Sequence, residues 1–272
     1  MLFRSDRNTS IGYGSSKNIT TGDDNVSIGF NAGPSGGTTA TTVAIGNGAV
    51  TGNMCVSVGH NATCSSTRSV TMGYGASAFF RSVSIGYSAS AFANYSTALG
   101  SEASASYDNS TSIGYGTTTS VANQMHFGNT SVSSIQGQVG FTTYSDSRVK
   151  KNVQEDVSGL AFIKELRPVT YNYDIRKENE IMGVKESEEW EGKYDVEKIR
   201  FSGFLAQEVD AAAKKTGYNF SGVDKSSNLW GLRYSEFVVP IVKSVQEQQT
   251  IIENQQKLID ELMRRIEALE KK

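Results

Sequence analysis

The chain has 272 residues, room for about two domains, and a formal net charge of −2, which gives no global basic field to hold nucleic acid. No apolar run approaches the ~18–20 residues of a membrane span, so no membrane insertion is expected. Met1-Leu2-Phe3-Arg4 passes at once into polar residues, without the apolar stretch of a secretory signal, so synthesis in the cytosol is expected.

Charge is unevenly placed. Residues 1–144 carry five basic groups (Arg4, Arg7, Lys17, Arg68, Arg81) and five acidic ones (Asp6, Asp23, Asp24, Glu102, Asp108), and nearly all the rest lies beyond them. The charge-poor half is a repeat. Glycines recur at Gly12, Gly29, Gly46, Gly59, Gly73, Gly86, Gly100 and Gly114, at spacings of 17, 17, 13, 14, 13, 14 and 14. An apolar residue precedes each, and Val or Thr stands three before it. Two such residues around a small polar one is strand alternation. Ala follows three after the Gly at Ala32, Ala49, Ala62, Ala76, Ala89 and Ala103, and a second small residue at Ala78, Ala91 and Ala105.

Each unit thus reads as a short strand, a Gly turn and a second short strand. One unit cannot bury its own apolar face, so the units stack into a solenoid. Val43, Ile45, Val56, Val58, Val70, Met72, Val83 and Ile85 are expected to face inward, together with the small residues. An Asp at Val83 is expected to bury an unpaired charge. The thin core favours several chains side by side. Residues 34–42, Pro34-Ser35-Gly36-Gly37-Thr38-Thr39-Ala40-Thr41-Thr42, read as a loop bulging from the stack.

The units VSIGYSASA, VAIGNGAV and TALGSEASA resemble the YadA-like head repeat of trimeric autotransporter adhesins. The resemblance covers about residues 9–120. It implies a left-handed parallel β-roll packed as a homotrimer, and phage tail fibres use the same repeat.

Several candidate sites in this half are discounted. Gly12-Tyr13-Gly14-Ser15-Ser16-Lys17 lacks the Walker spacing of a phosphate loop, and no helix follows. Cys55 and Cys64 form neither a disulfide framework nor a zinc spacing. Cys64 reads as a small core residue, Cys55 as the same or a surface thiol. His60 and His126 have no companions at ligand spacing, so no metal and no cofactor is expected. Tyr13, Phe30, Tyr74, Tyr87 and Tyr115 follow the repeat Gly, either as packing along the roll or as a row that stacks on sugar.

Residues 121–144 leave the repeat, and Phe127, Val132, Ile135, Val139 and Phe141 suggest short strands and turns that close the roll. Then comes Ser145-Asp146-Ser147-Arg148-Val149-Lys150-Lys151-Asn152. By residue type alone, Ser145-Asp146 is a turn cap and Arg148, Lys150 and Lys151 are a solvated face. The stretch nevertheless resembles the opening of the intramolecular chaperone of phage tail spikes and endosialidases, a self-cleaving serine peptidase of the S74 type. Its pattern, S-D-x-R-x-K-x-N and then an apolar residue, is met by Ser145, Asp146, Arg148, Lys150, Asn152 and Val153. Leu160 to Tyr171, Gly203-Phe204-Leu205-Ala206-Gln207-Glu208-Val209 and Leu232-Arg233-Tyr234 look like later family segments, in order. No His follows His126, where some members carry one.

The resemblance implies catalysis by Ser145 and Lys150, with the cut between Tyr144 and Ser145. A lysine amine serves as base once burial or cationic neighbours favour its neutral form. Arg148 and Lys151 are such neighbours in sequence. Asp146, Arg148 and Asn152 are possible supporting residues, with Asn152 or backbone amides at the oxyanion.

Residues 176–198, with Glu186, Glu188, Glu189 and Glu191 around Trp190, read as a solvated loop or hairpin. From Ile241 the apolar spacing becomes heptad: Ile241, Val245, Gln248, Ile252, Gln255, Ile259, Leu262, Ile266, Leu269. The a and d residues by themselves lean towards a dimer; the family resemblances imply a trimer.

The expected organisation is a mainly β N-terminal roll (1–120), a capping segment (121–144), an α+β chaperone domain (145–240) and a coiled-coil helix (241–272). The expected protein is a trimeric viral tail fibre or spike, made in the host cytoplasm and residing in the virion, whose chaperone is released by autoproteolysis. Its expected partners are its own copies, other tail or virion subunits and a host-surface receptor or glycan. The alternative is a bacterial trimeric adhesin head with a structural cap and no cleavage.

Overall fold

The computed structural model describes residues 6–184 and 188–271. It divides into two compact units, Met1–Ser133 with Ile175–Asp195, and Ser134–Asp174 with Val196–Lys272. The helices are α1 (Leu160–Ile163), α2 (Ile175–Met182), α3 (Ala206–Lys215) and α4 (Val238–Glu270).

The first unit is a parallel β-solenoid. Among the described residues, nine three-residue strands from Thr9–Ile11 to Met125–Phe127 form one sheet, and six two-residue strands from Gly33–Pro34 to Ser104–Ala105 form the other. Every pairing in both sheets is parallel, and the same repeat position meets its equivalent in the next unit: Val83 opposite Val70 and Thr97, Ser90 opposite Ser77 and Ser104. Each 13- or 14-residue unit is therefore one rung, and a strict register costs no extra chain.

The face of the first sheet is the reverse of the expected one. Ser27, Ala44, Ser57, Thr71, Ser84, Ala98 and Ser112, the middle residues of their strands, are wholly buried. Val43, Ile45, Val56, Val58, Val70, Met72, Val83 and Ile85 lie on the outer side, half-buried or exposed. The space between the sheets is the reason. It is filled from the second sheet by Pro34, Thr51, Cys64, Ala78, Ala91 and Ala105 and from the turns by Ala32, Ala49, Ala62, Ala76, Ala89 and Ala103, all of them small or compact residues. Alternation was read correctly, but the apolar phase is not the chain's own core.

Hydroxyls bridge the thin interior. Ser57 Oγ donates to the Val50 carbonyl at 2.8 Å and Ser112 Oγ to that of Ser104 at 2.6 Å. The repeat glycines stack carbonyl on Cα: a Cβ on Gly46 would sit 2.4 Å from the Gly59 carbonyl oxygen, and φ there is +131°. No side chain fits either the space or the dihedral.

Three local expectations are corrected. Pro34 is not loop: Gly33–Pro34 is a strand paired with Val50–Thr51, and the excursion begins after it. Cys55 and Cys64 are a disulfide, both buried, with Cα atoms 6.3 Å apart, because one rung folds these positions across the thin core. Beyond residue 120, Met125–Phe127 is one more rung in register with Thr111–Ile113. Residues 134–144 form no strand, and Ile135, Val139 and Phe141 are 70%, 87% and 94% exposed, so they do not close the roll within one chain.

The second unit is α+β. Phe162 of α1, Val209, Ala212 and Ala213 of α3, Phe220 and Phe237 form its core. Val169–Tyr171 pairs antiparallel with Phe201–Gly203, and Val223–Asp224 with Gly231–Leu232. α4 has 33 residues, about 50 Å at the helical rise. Its first turns present Pro240, Ser244 and Glu247, at helical spacing, to α1: Pro240 and Ser244 are buried, and Glu247 Oε2 accepts from the Leu160 amide at 2.7 Å. A Cβ on Gly159 would meet the Ser244 amide nitrogen at 2.8 Å, so this close approach needs glycine. The other stripe of α4, Ile241, Val245, Ile252, Ile259, Leu262, Ile266 and Leu269, is about half exposed or more among the described residues.

Candidate functional site

Ser145 to Asn152 is built by local rules. Asp146 stands in extended conformation as the N-cap of a single 3-10 turn, Ser147–Val149, and its Oδ1 accepts from the Arg148 amide at 2.9 Å. The Arg148 guanidinium folds back onto the same carboxylate, Nη2 to Oδ2 at 2.6 Å. That ion pair, with the amide bond, holds the Asp146 carboxyl below its ordinary range. The turn closes with the Lys150 amide donating to the Ser147 carbonyl at 3.2 Å. Its consequence is that the chain doubles back, and Lys150 Nζ donates to Ser145 Oγ at 2.8 Å.

A hydroxyl and an amine in hydrogen-bond contact, five residues apart and held by a capped turn, are the parts of a nucleophile–base pair. Here Lys150 is the donor; to serve as base it must give up a proton first. Ser145, Lys150 and Tyr144 are all exposed, Tyr144 at 96%. Asp146 and Arg148 form the frame and do not touch Ser145 Oγ or Lys150 Nζ. Asn152 has φ +54°, a left-handed conformation that turns the chain, and its side chain makes no hydrogen bond among the described residues.

The later segments converge on the second unit's core. A Cβ on Gly203 would lie 2.2 Å from Tyr234 Oη, which accepts from the Phe204 amide at 3.1 Å. Arg167 makes a two-pronged ion pair with Glu208, and Val209 is 1% exposed.

Residues 145–218 match the family Peptidase S74, chaperone of endosialidase. The S74 segment thus opens on Ser145 itself. Residues 80–103 and 95–117 match two copies of the YadA head domain repeat. In chain order, then, a segment similar to the YadA head repeat is followed by one similar to the chaperone of endosialidase. One solved structure, the collagen-binding domain of the Yersinia adhesin YadA, aligns at 20% identity with a TM-score of 0.42, covering 52% of this chain and 78% of that one. No curated protein matches the sequence significantly.

One part of the S74 segment groups with the roll. The stretch 176–198, expected as a solvated loop or hairpin, begins instead as a helix: α2 occupies Ile175–Met182, with Ile175 and Asn179 buried. Thr130 Oγ1 donates to Asn179 Oδ1 at 2.8 Å, and Trp190 stands edge-on to Tyr115 with ring centroids 5.4 Å apart. Of the acidic run, Glu189 pairs with Lys193 at 3.1 Å, and Glu186 lies outside the described residues. The signal for this helix is the spacing of Ile175, Asn179 and Met182, which lies inside a strongly charged stretch.

The aromatic row after the repeat Gly is also settled by geometry. His60, Tyr74 and Tyr87 stack face to face at 4.9 and 5.4 Å, and Tyr13 on Phe30 at 5.6 Å. Rings stacked rung on rung spend their faces on one another and show solvent their edges, so this column is packing along the roll.

Proposed function

We propose that the chain is a homotrimeric fibre or spike segment of a phage virion. In this proposal its C-terminal chaperone assembles the trimer and is then removed by a Ser145–Lys150 autoproteolytic step. The observation that carries the proposal is the 2.8 Å contact between Lys150 Nζ and Ser145 Oγ at the first residue of the S74 match. Three apolar surfaces left open in one chain support the trimer. They are the outer Val/Ile face of the first sheet, the heptad stripe of α4, and the exposed run Ile135, Val139, Phe141, Tyr144, Val149 and Val153. Clustered apolar exposure of this kind marks a contact surface.

In the step itself, neutral Lys150 takes the Ser145 hydroxyl proton and Oγ attacks the Tyr144 carbonyl carbon. The C–N bond breaks as Lys150 hands that proton to the Ser145 nitrogen, so Ser145 gains a free amine and an ester joins Tyr144 to Oγ. Water then cleaves the ester, giving a Tyr144 carboxylate and restoring the hydroxyl. Assembly supplies what the lone chain lacks: burial of the pair and a fixed position for the carbonyl. Exposure of both residues in the single chain fits a step that waits for the trimer. It equally favours the second reading, a bacterial adhesin head on which this segment is a structural cap.

Intact mass after expression separates the two. The first reading expects a fragment beginning at Ser145, and an uncut chain in Ser145→Ala that still forms trimers. Undiminished cutting in Ser145→Ala would falsify the assignment of nucleophile, and a single uncut wild-type species would leave the structural cap.

A further inference from the structure

We propose that the corner of the roll around Arg81 binds an acidic sugar, a pyranose ring bearing a carboxylate. The proposal rests on the reading of the roll as the outward-facing part of a trimeric fibre, and it names the class of glycan that fibre would take.

The roll is nearly empty of charge, yet Arg68 and Arg81 stand on successive rungs, the Arg81 amide donating to the Thr67 carbonyl and the Arg68 amide to that of Asn53. Arg81 is held in place. Its guanidinium carbon lies 4.7 Å from the centroid of Phe80 and 5.5 Å from that of Tyr95, and Nη1 donates to Tyr95 Oη at 2.9 Å. One donor of the fork is thereby used. Among the described residues no carboxylate pairs with Arg81 or Arg68. Asp108, the acid on this edge, is taken by the Asn94 amide at 2.9 Å and by the Asn94 side chain.

Phe79 shares the rung of Arg81, Phe92 and Tyr95 stand on the next rung and Tyr107 on the one after, 42%, 60%, 53% and 43% exposed. Phe79 and Phe92 occupy successive rungs, their amides bonded to the Ala91 and Ala105 carbonyls. Unlike the His60–Tyr74–Tyr87 column, these two make no ring contact among the described residues. Exposed apolar area of this kind marks a contact surface. The combination is specific: a planar guanidinium fork fits a carboxylate two-pronged, and open ring faces a rung or two apart fit the C–H face of a pyranose. A neutral glycan would leave the fork unused, and an acidic peptide would leave the rings unused.

The test is calorimetric titration of the wild-type trimer with 3′-sialyllactose and trigalacturonate, and with lactose as the neutral control. Both acidic sugars are expected to bind and lactose not to. Arg81→Gln should weaken binding at least about tenfold, the loss of a charge-assisted contact. Phe92→Ala should weaken it severalfold, and Tyr13→Ala on the stacked column should leave it unchanged. Equal binding of lactose, an unaffected Arg81→Gln, or equal competition by polyglutamate overturns the proposal. So does an Arg81→Gln variant that falls to monomers, which would make the corner a chain–chain contact. Intact mass and light scattering on the same samples report cleavage and assembly separately, so failure of sugar binding is distinguishable from failure of the fibre reading.

Discussion

Lys150 and Lys151 are neighbours in sequence and differ in what they touch. Lys150 Nζ reaches Ser145 Oγ; Lys151 is exposed and makes no ion pair or hydrogen bond among the described residues. Lys150→Met keeps the apolar stem and removes the amine, so intact mass should show an uncut chain. Lys151→Met should cut nearly as wild type does, and loss of cutting there would reassign the base. A second residue-scale effect lies on α2. Burial raises the Glu178 carboxyl above its ordinary range, and the charge of His126 partly opposes this. A raised carboxyl means the folded form binds its proton more tightly than the unfolded one. Its contribution is full below the ordinary carboxylate range and is lost as pH rises through the elevated folded value. Glu178→Gln should therefore raise the melting temperature at pH 7 and leave it little changed near pH 4. A drop at pH 7 would mean the carboxylate is a needed partner of His126.

At the scale of the element, the rung is a strand with two faces of different duty. The inner face takes Ser, Ala and Thr because the sheets lie too close for more. The outer face carries Val and Ile, which one chain leaves half-open. This changes what a substitution at Val83 tests: an Asp there lands on the half-open outer face, which the proposed trimer would cover, not in the chain's own core. Ile85→Asp should thus give a folded roll that fails to associate, monomeric by light scattering with its β circular dichroism kept. Ala98→Leu, wholly buried between the sheets, should destabilise the roll itself by about 1–3 kcal/mol or more through overpacking. If both variants lost the same property, the assignment of faces would be wrong. Strand alternation was legible from spacing alone; which face is core was not, because depth between sheets is set by the partner sheet.

Across the whole molecule, chain order and compact units do not coincide. Residues 175–195 lie in the S74 segment by sequence and group with the end of the roll by contact. A cut at Ser145 would leave that piece on the released fragment, so α2 and Trp190 must let go of the last rungs before the fragment departs. Assembly is gathered from the other end. α4 uses Pro240, Ser244 and Glu247 to hold α1 and leaves its heptad stripe open, and in the proposed trimer that stripe would gather the copies and raise their effective concentration. Truncation after Val239 removes both contacts. It is expected to give monomers or aggregates by light scattering, with cutting lost as well; a native trimer from that gene would place the assembly determinant elsewhere.

Whatever depended on neighbours in sequence could be read from sequence. The glycine column follows from a backbone repeat, the capped turn from Ser145-Asp146, and the heptads of α4 from their spacing, whereas the pairing of Ser145 with Lys150 was implied by the S74 resemblance and not by residue type. The tertiary structure alone decided which side of each rung is buried, that Cys55 and Cys64 meet across one rung, and that residues 175–195 fold onto the roll. Each of these depends on a distance through space between segments, which periodicity does not encode. The thin interior admits only small side chains, and so it turned the largest apolar residues of the repeat outward, where one chain has nothing to cover them.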